Sequence, residues 1–179
     1  TTIFQRATSG GGTIREVRRL QPRRPMQPTT RQASNGTGIL SVNIGDAVKF
    51  SKTVGESDVY QFAGITGDFA PNHVNEEYMK ASRFGQRIAH GALLVGYMSA
   101  ASSKFIESLD TDDERTPVSL GYDRVRFVAP VFIGDTITVE YAITEYDSDR
   151  RRSLASIAVI NQHGDTVAAA PHAIVLPYL

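Results

Sequence analysis

The chain has 179 residues, 41% of them hydrophobic, no cysteine and a formal net charge of zero. That is enough apolar material for one sizeable core, and the lack of thiols excludes disulfides, thiolate nucleophiles and cysteine-ligated metals. No apolar run is long enough to cross a bilayer and the first residues lack a secretory h-region, so the expectation is a cytoplasmic protein with no membrane partner.

Residues 1–40 form an Arg/Gly/Pro-rich arm. It holds seven arginines (Arg6, Arg15, Arg18, Arg19, Arg23, Arg24 and Arg31) against the single acid Glu16, a balance of +6 that leaves −6 on the rest. Its aromatic content is one Phe, and no nucleic-acid module is recognisable, so nucleic acid is not expected as a partner. Arg and Ser richness also suits an organellar transit segment, which makes an organelle matrix the alternative location.

The body is expected over 41–179. Asp46 to Val54 alternates apolar and polar residues and reads as a half-buried strand. Ser57 and Asp58 are candidates to cap a helix bearing Val59, Phe62 and Ala63, which Gly67 would end. A polar loop, Gly67 to Asn75, leads to a short helical stretch around Glu76 to Ser82. From Ala92 to Ile106 the sequence is apolar nearly all round, the pattern of a buried helix. Four strand-like runs follow, Val118 to Val128, Thr136 to Tyr146, Ser153 to Asn161 and Thr166 to Leu176, separated by turn signals that suit a meander. One buried helix followed by consecutive antiparallel strands implies an α+β hot-dog fold, a sheet wrapped round a central helix.

The informative stretch runs from Phe62 through Gly67-Asp68-Phe69-Ala70-Pro71-Asn72-His73, followed by Ile88-Ala89-His90-Gly91 at the head of the expected helix. Taken singly, a Gly-Asp pair is commonly a turn and a lone His is commonly packed or solvated. Together, a carboxylate and an imidazole five residues apart in a Pro-stiffened loop can converge on one water. Hydration of a 2-enoyl thioester needs that convergence, because a proton must leave the attacking water and another must reach C2. It also needs a fixed donor for the thioester oxygen, and the Gly91 backbone N–H at a helix start is placed for it.

At these residues the chain resembles the MaoC-like dehydratases, the (R)-specific or type 2 enoyl-CoA hydratases. The family signature reads Gly-Asp-x-Asn-Pro-aliphatic-His, then Ile-x-His-Gly before the central helix. The likeness extends to Arg126-Phe127-Val128-Ala129-Pro130-Val131-Phe132-Ile133-Gly134-Asp135-Thr136 and covers about Ile44 to Leu176. It implies Asp68 and His73 as the catalytic pair and Gly91 as the oxyanion donor. The implied reaction is conversion of trans-2-enoyl-CoA to (R)-3-hydroxyacyl-CoA, with neither metal nor other cofactor, in a homodimer. Ala70, Asn72 and Met79 depart from the pattern where Asn, an aliphatic and a small residue are usual. These departures bear on substrate range, Met79 as a side chain that would take up pocket volume.

Lys80, Arg83, Arg87, Arg124 and Arg126 are candidates to meet the phosphates of coenzyme A, or of an acyl-carrier protein's prosthetic group. His90 reads as a loop anchor by hydrogen bonding. His163 lies in a turn, and without HExxH no zinc site is expected. Two other readings stand beside the hydratase: a hot-dog thioesterase, and a noncatalytic acyl-binding partner subunit.

Overall fold

The protein is described here from a computed structural model, in which residues 42–109, 117–150 and 152–176 are described. The Arg-rich arm expected at 1–40 lies outside them.

The chain order is β1 (Ala47–Thr53), α1 (Glu56–Thr66), α2 (Pro71–Val74), α3 (Glu76–Lys80), α4 (Gly91–Ser108), β2 (Val118–Asp123), β3 (Arg126–Phe127), β4 (Thr136–Asp147), β5 (Arg152–Ile160) and β6 (Thr166–Leu176). The strands form one antiparallel sheet in the order β1-β4-β5-β6-β2, with β3 also pairing β6. Strict alternation drives the long strands: Ile137, Val139, Tyr141 and Ile143 of β4, and Ala155, Ile157 and Val159 of β5, all turn into the core. Helix α4 lies against that face, packing on β1, β4 and β5 with Leu94, Tyr97, Met98, Ala101 and Phe105 buried. An antiparallel sheet with one long helix packed against it is the expected hot-dog layout.

Four local expectations change. Helix α4 is not buried all round: Ala92, Gly96, Ser99 and Ser103 form an exposed stripe opposite the core face. Gly96 and the two serines are the breaks in the apolar pattern, and Ala92 joins them because a methyl side chain loses little by meeting water. The run Val118 to Val128 is broken, because Arg124 takes a left-handed φ of 51°, which splits β2 from β3. Only β4, β5 and β6 form a meander; β2 and β3 cross to pair with β6.

The fourth change is at α1. Its N-cap is Gly55 rather than Ser57 or Asp58, and the Asp58 carboxylate reaches back to accept from the Gly55 N–H at 2.7 Å. Gly67 ends the helix in the left-handed region, φ 79°, donating its N–H to the Ala63 carbonyl at 2.8 Å. That turn throws residues 68–75 across the head of α4. Among the described residues, no helix is long and apolar enough to cross a membrane.

Candidate functional site

The expected loop after Gly67 contains a helical turn. Pro71 fills the first helical position of α2, where its missing N–H costs nothing and its fixed φ sets the turn. His73 is thereby carried inward and buried. Its Nδ1 lies 2.8 Å from the Ile88 carbonyl, and the Ile88 N–H donates to the Asn72 carbonyl at 3.0 Å. A carbonyl can only accept, so Nδ1 carries the proton and Nε2 is left with a lone pair.

Asp68 stays half exposed, its side chain 50% accessible. Its Oδ1 accepts a long 3.3 Å bond from the Ala70 N–H. No direct hydrogen bond joins it to His73 among the described residues; instead one carboxylate oxygen and one ring nitrogen of His73 stand within 4.8 Å of each other.

His90 belongs to the same cluster. It is 1% exposed, and its Nε2 donates to the Asp68 backbone carbonyl at 2.9 Å. Its ring stacks on His73 at 3.7 Å between centroids and meets Phe62 at 4.8 Å. One side chain therefore supports both members of the expected pair, holding the backbone of one and the ring of the other. The sequence signal for it was its place immediately before Gly91; the stacking on a residue 17 positions away had none. Asp68, His73 and His90 could be taken for metal ligands by proximity. The His90 nitrogen that faces Asp68 spends its proton on a carbonyl, however, and so offers no lone pair to a cation. The other nitrogen, Nδ1, is buried without a partner among the described residues.

Gly91 opens α4, so its N–H is one of the first-turn donors with no intrahelical acceptor, at the positive end of an 18-residue helix. A Cβ at this position would stand 2.6 Å from Cδ2 of Phe127, which leaves glycine as the residue that fits under the ring. Gly91 and His73 line one cavity of about 350 Å³ whose walls include Arg83, Phe84, Leu94 and Phe127. Met79 is buried and is not among the residues that line this cavity.

The five basic candidates separate. Arg83 lines the cavity with His73 and Gly91. Arg87 is engaged elsewhere: it donates to Glu56 at 2.7 Å and Glu76 at 2.9 Å, and to the Tyr60 hydroxyl at 3.3 Å. Its hydrogen bonds to both carboxylates, that to Glu56 first, push its guanidinium further above its ordinary value. It is a strap joining α1 to α3 next to Ile88. Lys80 pairs with Glu77 on the exposed face of α3. Arg126 donates to its neighbour's carbonyl, that of Val125, at 2.9 Å. Arg124 lines a different depression with Asp123, Glu145 and Arg150, so it does not share a cavity with His73.

The MaoC-like domain model matches residues 40–165. An (R)-specific enoyl-CoA hydratase of Rhodospirillum rubrum is 38% identical over 56% of this chain, an alignment that spans 65% of that protein's length. A 3-hydroxybutyryl-CoA dehydratase of Methylorubrum extorquens is 35% identical over 76% of this chain and 80% of its own. The solved (R)-hydratase of A. caviae superposes with a TM-score of 0.68 at 26% identity, covering 76% of this chain and 97% of that one. With the domain match spanning most of its length, the chain belongs to the MaoC-like family.

Proposed function

We propose that the protein is a hydro-lyase that interconverts a trans-2-enoyl thioester and its (R)-3-hydroxyacyl counterpart. The observation that carries the reading is the spacing of Asp68 and His73 above one helix start. Two ordinary hydrogen bonds meeting at a water's tetrahedral angle span about 4.6 Å. One carboxylate oxygen and one His73 ring nitrogen stand within 4.8 Å of each other with no direct hydrogen bond between them among the described residues, a span that one water donating to both can bridge.

In the hydration direction the water oxygen bonds to C3 and gives up a proton to the Asp68–His73 pair. The C2–C3 π electrons move toward C1, so negative charge develops on the thioester oxygen, where the Gly91 N–H and the α4 dipole oppose it. A proton then reaches C2 from the same pair, which returns the enzyme to its starting state. Asp68 and His73 act on one water as a coupled unit, and the steps belong to the pair. Arg83 lines the cavity, which supports its pairing with a phosphate of the carrier, whether coenzyme A or an acyl-carrier protein's prosthetic group. A homodimer fits the exposed small-residue stripe of α4 and the exposed Val128 near the site.

Hydration of crotonyl-CoA, followed by loss of enoyl absorbance together with a free-thiol assay, tests this. The expected result is absorbance loss with no thiol released. Thiol release would mean thioester hydrolysis, and no change in either would mean a noncatalytic acyl-binding role.

A further inference from the structure

The turn that carries His73 also carries an amide. Asn72 Nδ2 lies 3.0 Å from His73 Nε2 and 3.5 Å from Nδ1. A donor aimed along one ring nitrogen's lone pair would be near that nitrogen and far from the other. The amide therefore sits over the face of the imidazole, beside Nε2, and leaves that lone pair open. His90 stacks on the ring at 3.7 Å, and a ring and an amide that close cannot share one face, so His73 is held between them. Asn72 is half-buried and lines the same cavity as His73 and Gly91.

A hydrogen-bond inventory of the reacting water shows what the Asp68–His73 pair lacks. Water has two hydrogens and two lone pairs. The Asp68 carboxylate can only accept, and His73 Nε2 can only accept because the ring's proton is held by the Ile88 carbonyl. Both hydrogens are then committed, one lone pair must point at C3, and the other needs a donor if the oxygen is to be oriented. Neither member of the pair can provide one. Ala70, where the resembling sequences carry an amide, has no donor on its side chain; the amide of this chain stands two residues further on.

We infer that Asn72 donates its amide N–H to the oxygen of the reacting water and, in the reverse direction, to the oxygen of the departing 3-hydroxyl. No proton leaves Asn72 in either direction; it fixes the lone pair that is not used in attack. The inference rests on the hydration reading above and adds a third side chain to its site.

The test measures kcat and KM for crotonyl-CoA hydration, with thermal unfolding, on the full chain and on Asn72→Leu and Asn72→Asp. Leu keeps the bulk and removes the donor; Asp keeps the shape and turns the donor into a third acceptor. A misplaced reactant typically costs about 10²-fold in rate. Asn72→Leu is expected to lose about ten- to a hundredfold in kcat with KM and melting temperature nearly unchanged, and Asn72→Asp to lose more. Turnover of Asn72→Leu within about twofold of the parent overturns the inference while leaving the hydration reading intact. A loss that tracks a fall in melting temperature overturns it too, in favour of a packing role. A parent chain that consumes no enoyl thioester removes both.

Discussion

The ring of Phe127 occupies the ground that a Cβ on Gly91 would need, with Cδ2 2.6 Å, Cε2 2.7 Å and Cγ 2.9 Å from that point. Phe127 is 50% exposed and sits on a strand of two residues, so the ring has somewhere to go. Gly91→Ala should fold but displace the ring, with a stability loss of about 1–3 kcal/mol for the overpacked contact. Phe127→Ala introduced with it should recover most of that loss, because the collision is pairwise. Thermal unfolding of the two single variants and the double one closes the cycle; additive losses would show that the strain lies elsewhere.

Asp68→Asn and His73→Ala should each lower turnover by at least about 10²- to 10⁴-fold, the usual worth of general acid–base catalysis. On the proposed mechanism, in which both act on one water, the double variant should be scarcely worse than the poorer single one. If Asp68 were merely a turn residue and His73 merely packing, the losses would appear as stability, about 0.5–2 kcal/mol, with the folded fraction still active. Turnover and unfolding measured on the same three variants separate the outcomes.

Arg83 and Arg87 are four residues apart and should answer differently. Arg83→Met is expected to raise KM for the coenzyme A thioester several-fold while leaving the melting temperature in place. Arg87→Met removes a largely covered guanidinium from Glu56 and Glu76 and should lower stability by about 1–2 kcal/mol, with KM little changed. The reverse assignment would place the carrier's phosphates at the strap.

Two groups near the start of α1 give the fold a pH dependence at both ends. Burial raises the Tyr97 hydroxyl, and the Asp58 charge adds to it, carrying it to about 12. The unfolded chain ionises its tyrosine first, so this contribution is whole below about pH 10 and is lost as pH rises toward 12. Tyr97→Phe should flatten the alkaline fall. It should do so at little cost near neutrality, because the hydroxyl is buried with no partner in hydrogen-bond geometry among the described residues, even though Asp58 is near enough for its charge to count.

For Asp58, burial works upward but is outweighed by the hydrogen bond from Lys52, the Gly55 N–H and the Lys52 charge, which leave the carboxyl below its ordinary value. Its contribution is therefore present above the unfolded value near 4 and is lost as pH falls through the lower folded one. Asp58→Asn should reduce the acid-side slope of unfolding free energy, measured between pH 2 and about 5. An unchanged slope would mean that the Lys52 pair, 2.8 Å long, is spent against solvent.

The elements that carry the core were legible because their periods are strong: Ile137, Val139, Tyr141 and Ile143 alternate without a break, and Leu94, Met98, Ala101 and Phe105 recur at helical spacing. The break at Arg124 was not, since a non-glycine residue with positive φ leaves no mark in the sequence. Nor was the pairing of β2 with β6, because partner choice depends on how the sheet closes and not on either strand's own pattern. Within the site, Asp68, His73 and Gly91 could be picked out by residue type and spacing. What the side chains of His90, Asn72 and Phe127 do there depends on rings and amides meeting across 1 to 36 positions of chain, geometry that the motif does not encode.

Ile88 holds His73 and Asn72 through its main chain, accepting from the ring nitrogen with its carbonyl and donating its N–H to the carbonyl of residue 72, and the residue itself lines the cavity. No replacement other than proline can remove either tether. Position 88 is thus a place where selection, or a protein engineer, can exchange one side chain while both main-chain tethers of the neighbouring turn stay in place, and on the proposed hydration reading a chemistry anchored on backbone atoms would leave its substrate range free to drift.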